Sequence, residues 1–278
     1  MSVKSFISNH IIPFKIIAAV IAFALIALLL LGANDLLGNP ISYSLAKSKA
    51  EKYISEKYDG YVLESVGYSF KFKNYFAHAV LPGSEDCYFT VYCNMYGEPR
   101  GDNYESLVQN RGNVRMRLDM SYRELADSVL ESPSFPYSSN IASGSLIFEG
   151  DEDYTKEDGH GFAIPRSILV PDALYDIAEL GAQAGLLTVY VDTEELTDEY
   201  AAEVLLEINS VMEKGGVPFY AIDLRLESSA REYYSINNFS RSDIHEDGLI
   251  ERVRENNQKT EARYAELDAE LNAGLKPV

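Results

Sequence analysis

The first pattern along the chain is an apolar run with no period. Ile16 to Ala33 is eighteen residues without a charge and without a polar stripe. As a helix it would be about 27 Å long, close to the roughly 30 Å hydrocarbon core of a bilayer. The run predicts an N-terminal transmembrane helix, with Ile16, Leu25 and Leu31 in the anchor. It is longer than the roughly 7–15-residue core of a cleaved signal peptide, and no cysteine follows for a lipid anchor, so a retained single-pass anchor is expected. Lys4 and Lys15 precede it and the first basic residue after it is Lys47. That bias places the N-terminus inside and the remainder outside the cell membrane.

Beyond the anchor the pattern becomes periodic. Asn39-Pro40 reads as a cap followed by the first helical residue. Ala46, Ala50, Tyr53, Ile54 and Tyr58 then form one stripe at helical spacing, which Gly60 stops. Three alternating runs follow, around Val62–Phe70, Phe72–Leu81 and Cys87–Met95, and predict a strand meander. Gly97 to Asn103 reads as a loop. Val114, Leu118, Tyr122, Leu125, Val129 and Leu130 mark a helix, and Ser132 to Ser139 a linker. Strands are then expected at Gly144–Phe148, Leu186–Val191, Phe219–Leu226 and Tyr233–Phe239. A helix starting at Pro171-Asp172 with Leu174, Ile177 and Leu180 inward, and one capped by Thr197, lie between them. A long helix from about Asp243 to Leu271 closes the chain.

The expected fold class is therefore α+β. An N-terminal transmembrane helix leads into a helix-plus-antiparallel-meander domain, then a second α+β sandwich domain with a long C-terminal helix. In residues, the tail and anchor occupy 1–34, the helix and three strands 35–97, a helical connector and linker 98–140, and the C-terminal domain 141–278.

Charge narrows the partners. Residues 35–278 hold all 43 acidic residues and 22 of the 24 basic ones, a net of −21. So acidic a domain is repelled by phosphate backbones, and nucleic acid is not an expected partner. Two cysteines make no disulfide framework. Cys87 and Cys93 share one strand face about 20 Å apart, too far for a disulfide, and are expected as free core thiols.

Candidate chemistry is sparse. The four histidines show no i,i+3 or i,i+4 pairing, and no phosphate loop, nucleophile elbow or Cys-His pair is present. No catalytic residue and no cofactor are expected. The one cluster with ligand chemistry is the acidic loop holding Asp151, Asp153, Asp158 and His160. Its hard oxygens suit Ca²⁺, though Lys156 stands where a calcium loop needs glycine. In the last helix Ile250, Val253, Asn257, Thr260, Tyr264, Leu267 and Leu271 follow alternating 3,4 spacing, a heptad seam with two polar layers. The seam suits a protein partner or self-association as well as packing on its own sheet.

Gly38 to Tyr58 (GNPISYSLAKSKAEKYISEKY), Gly215 to Leu224 (GGVPFYAIDL) and Ser242 to Leu249 (SDIHEDGL) resemble the YfjL-like family of membrane proteins of Gram-positive bacteria. The resemblance spans most of the chain and implies no catalytic residues. By analogy of fold, the N-terminal helix and meander are also similar to PepSY or cystatin-like modules, which serve as exported binding or inhibitory units. Together these readings point to a membrane-anchored extracytoplasmic, non-catalytic binding or interaction module of the cell envelope. An envelope hydrolase using carboxylates near the acidic loop is the alternative, and a calcium-responsive sensor a third reading.

Overall fold

The computed structural model describes residues 17–26, 28, 29, 32, 36–139, 141–149 and 162–274, without the side chains of 268 and 270–274. It divides into two compact units, Met1–Asn110 and Arg111–Val278. The fold is α+β with two four-stranded sheets.

The expected transmembrane helix is corrected. Among the described residues no helix is long and apolar enough to cross a membrane. The helices that are long enough, described below, carry charged residues along their length. Leu25 lies in the 17–26 helix with its side chain exposed, and Ile16 and Leu31 lie outside the described residues.

In the first unit, α1 (Pro40–Lys57) starts where the Asn39 side chain accepts the Ile41 N–H at 2.8 Å. Its small stripe, Ala46, Ala50 and Ile54, is buried against a sheet of β1 (Val62–Ser69), β2 (Asn74–Val80), β3 (Tyr88–Cys93) and β4 (Pro99–Asp102). Every neighbouring pair is antiparallel, in the order β1-β2-β3-β4. Tyr75, Ala77 and Ala79 of β2 and Phe89, Val91 and Cys93 of β3 fill the face under the helix. The other parity, Phe76 and His78, looks away, and the His78 Nδ1 lies 3.1 Å from the Thr90 hydroxyl. Both cysteines are free and buried, as their shared parity requires.

The three-stranded expectation is corrected to four. Pro99–Asp102 has no strand-forming composition, yet it pairs with β3 through Val91↔Asp102 and Tyr92↔Gly101. Proline is tolerated because it opens an edge strand. Gly97 makes this return possible. Its φ is +72°, and a Cβ there would lie 2.5 Å from the Ala46 backbone nitrogen, so only glycine lets the turn pass over α1.

In the second unit, α2 (Gly112–Leu130) precedes β5 (Ile141–Leu146), α3 (Ile177–Ala184), β6 (Gly185–Asp192), α4 (Asp198–Lys214), β7 (Ala221–Glu227), β8 (Tyr233–Ser240) and α5 (Leu249–Gly274). The sheet runs β5-β6-β7-β8. Only β6 and β7 are parallel, and α4 provides the crossover that a parallel pair requires. Leu187, Val189 and Val191 sit beside Ile222, Leu224 and Leu226 in register. They bury against Val204, Leu205, Ile208 and Met212 of α4 and against the α2 residues Ala126 and Val129. Thr197 caps α4 through the Tyr200 N–H. The helix expected from Pro171-Asp172 starts later, capped by Asp176, and Leu174 is 98% exposed rather than inward.

Of the two polar layers in the α5 seam, Asn257 bonds to the sheet and Thr260 to Asn256 of the same helix, and Asn256, beside the seam, bonds to the sheet as well. Asn256 accepts the Asn237 N–H at 3.0 Å and donates to the Asn237 carbonyl at 2.9 Å, and Asn257 donates to the Ser235 carbonyl at 3.0 Å. Two asparagine amides thus close the β8 edge as a further strand would. Asn256→Ala leaves a peptide of the edge without partners. It is expected to cost about 1–3 kcal/mol in urea denaturation.

Candidate binding cleft

The best-built site lies in the first unit and is assembled from two distant stretches. The last turn of α1 projects Tyr53, Lys57 and Tyr58, whose spacing brings them to one side of the helix end. The end of β4 brings Asp102 beneath them, and the following turn adds Tyr104. With Tyr61, Asp59, Glu105 and Gln109 these residues line a cleft of about 690 Å³.

Asp102 is the hub. Its Oδ2 accepts the Tyr53 hydroxyl at 2.6 Å, the Tyr58 hydroxyl at 2.7 Å and the Lys57 ammonium at 3.1 Å. Its Oδ1 accepts the Tyr104 N–H at 3.1 Å. The carboxylate side chain is 9% exposed, whereas the Lys57 side chain is 53% exposed. Burial alone would raise the Asp102 pKa, but the bonds from Tyr53, Tyr58, Tyr104 and Lys57 outweigh it and hold the carboxyl below its usual range. Hydrogen bonds to Tyr53, Tyr58 and Asp102 push the Lys57 ammonium up. Burial first, and the neighbouring Asp102 carboxylate with it, pushes the Tyr58 hydroxyl up to about 12, against an opposing bond from Lys57.

The rings form a contiguous surface. Tyr58 and Tyr104 lie 4.4 Å apart and tilted, Tyr61 meets Tyr104 edge-on at 5.6 Å, and Phe89 packs beneath. The Lys57 ammonium sits 5.0 Å from the centroids of both Tyr53 and Tyr58, within cation–π range.

Because its folded pKa is depressed, Asp102 contributes stability above the unfolded carboxyl pKa of about 4. That contribution is lost as pH falls through the folded value. Asp102→Asn is expected to cost about 1–3 kcal/mol near pH 7 and progressively less at acid pH. Denaturation midpoints between pH 7 and 3 check this, and a cost that does not change with pH would refute it.

A second depression lies in the other unit, beyond the carboxyl ends of the parallel strands β6 and β7. Asp192, Thr193, Glu194, Glu227, Ser228 and Ser229 line about 430 Å³ there. Among the described residues no group of three His, Cys, Asp or Glu is placed to hold a metal ion. The face of the same sheet turned away from α4 carries Asp223, which burial pushes up to about 6 against one bond from the Asn238 N–H at 2.7 Å.

The residues singled out by sequence are dispersed. Asp151, Asp153, Asp158 and His160 lie outside the described residues, so the hydrolase and calcium-sensor readings have no described geometry. In α5, Val253, Asn257 and Thr260 are buried, and Ile250 is partly buried against the core. Tyr264 accepts a bond from the Asn237 side chain, Leu267 is exposed, and the Leu271 side chain lies outside the described residues. Sequence reasoning missed the cleft. Tyr53 and Tyr58 read as stripe residues and Asp102 as part of a loop. The available signal was a run of tyrosines around one lysine at the end of α1.

Fold and cleft together define a two-unit α+β protein with a tyrosine-lined cleft in its first unit. The description "YfjL-like, N-terminal domain" matches residues 14–103, and "YfjL-like C-terminal domain" matches residues 121–254. The chain belongs to the YfjL-like family. No curated protein and no solved structure matches it.

Proposed function

We propose that the protein is a non-catalytic binding module of the cell envelope and that the cleft around Tyr58 and Asp102 is its ligand seat. One observation carries the reading. The Asp102 carboxylate at the cleft floor is already committed to four hydrogen bonds, from Tyr53, Tyr58, Lys57 and the Tyr104 N–H. Those bonds fix the floor in place rather than leaving a free acid or base within reach of a ligand. What the cleft offers instead is ring area with fixed polar groups, the usual make-up of a binding site.

A photo-crosslinking residue at Gln109, on the exposed rim, tests the seat in the native host. A crosslinked product that disappears with Tyr104→Ala is expected. No product, or one indifferent to Tyr104, would remove the proposal. For location, Lys214→Cys adds an exposed thiol to a chain whose own two are buried. Labelling in intact cells is expected, and labelling only after lysis would overturn the outside assignment.

A further inference from the structure

We propose that the cleft of the first unit receives a cationic side chain, the guanidinium or ammonium of a basic peptide; this rests on the binding reading above and names its ligand class. The chain already shows how a cation sits here. The Lys57 ammonium lies over two tyrosine rings, bonds to the Tyr53 hydroxyl at 2.8 Å and reaches the Asp102 carboxylate. That arrangement occupies one side of the cleft and neutralises Asp102.

The rest of the lining adds more rings and more carboxylates. Tyr61 and Tyr104 present rings beside Tyr58. Asp59 and Glu105 stand on the exposed rim and make no ion pair among the described residues. Lys57 is the one basic residue of the lining and is already matched to Asp102. The lining as a whole therefore carries three carboxylates, Asp59, Asp102 and Glu105, against one ammonium.

Three ligand classes meet this surface differently. An anion would face two carboxylates and the negative faces of the rings. A neutral apolar group would strip water from the carboxylates and return nothing. A cation is attracted by both the carboxylates and the ring faces, and the net charge of −19 draws it in from a distance. At about 690 Å³ the cleft is larger than one ammonium group fills. A chain segment carrying the cation fits that volume better than a free amine does.

The test is calorimetric titration of the full chain at about 150 mM salt, where long-range attraction is screened beyond about 8 Å. The probes are an amidated Gly-Arg-Gly-Arg-Gly peptide, its Glu counterpart and free propylguanidinium. The Arg peptide is expected to bind, the Glu peptide not to, and propylguanidinium to bind more weakly than the Arg peptide. The double variant Asp59→Asn/Glu105→Gln, altered only at exposed positions, is expected to weaken the Arg peptide about tenfold with an unchanged melting temperature. Equal binding by that variant would assign the attraction to general acidity and overturn the proposal, as would binding of the Glu peptide. Propylguanidinium binding as tightly as the Arg peptide would overturn the peptide assignment. If the Arg peptide fails to bind while the Gln109 crosslink still forms, the cationic ligand falls and the binding seat stands.

Discussion

Replacing Tyr122 by alanine is expected to destabilise the second unit by about 3–5 kcal/mol, the range for removing a large buried aromatic ring. Tyr122 is 0% exposed, and three glycines make room for it. Gly144 on β5 lies under one ring edge, where a Cβ would approach Tyr122 Cε1 to 3.0 Å. Gly181 in α3 and Gly185 at the start of β6 border the other edge and the hydroxyl. That hydroxyl donates to the Pro218 carbonyl at 3.0 Å, so one side chain joins α2 to the loop before β7. Alanine leaves a cavity walled by backbone, which relaxes little. Tyr122→Phe keeps the ring and leaves the carbonyl without its donor, and a smaller cost of about 1–2 kcal/mol is expected. Urea denaturation followed by far-ultraviolet circular dichroism reads both. Equal costs for the two variants would show that the hydroxyl, not the ring, holds the contact.

Asp223→Asn is expected to act in the opposite direction and stabilise the protein at pH 7 by about 1–3 kcal/mol. Burial within the sheet strips water from this carboxyl and pushes it up to about 6 from an ordinary value of 3.8. The folded chain therefore holds the proton more tightly than the unfolded chain. Stability is greatest below about pH 4 and falls as pH rises through about 6, above which the penalty is constant. Asparagine carries no charge to desolvate, and its carbonyl can still accept the Asn238 N–H. The gain should vanish at pH 4, where the wild-type carboxyl is protonated in the folded state. Denaturation midpoints of both proteins at pH 4 and pH 7 decide the matter; a gain of the same size at both would rule out the ionisation argument.

Local patterns anticipated what local interactions determine. The Asn39-Pro40 start, the Ala46–Ala50–Ile54 stripe and the buried parity of β3 follow from helical and strand periodicities within one element. Strand β4 was not legible because Pro-Arg-Gly-Asp has no preference of its own for the extended state. Its pairing is set by β3 and by the passage at Gly97. Leu174 was misread because its apolar side chain matched a helical period that begins only at Ile177. The transmembrane expectation followed from the apolar composition of residues 16–33, and among the described residues no helix is long and apolar enough to cross a membrane. The cleft escaped for a different reason. Asp102 lies 44 residues from Tyr58 and 49 from Tyr53, and no spacing rule connects them. Likewise the polar layer at Asn257 was visible as a break in the seam, but its partner Ser235 stands on another element.

In both sheets the strands lie side by side in the order in which the chain presents them. During synthesis each new strand can therefore dock on the one just made, and no gap has to be held open for a later arrival. The β8 margin would stay adhesive until α5 leaves the ribosome, so a stalled or truncated translation product lacking α5 would be the species most prone to stick to its neighbours.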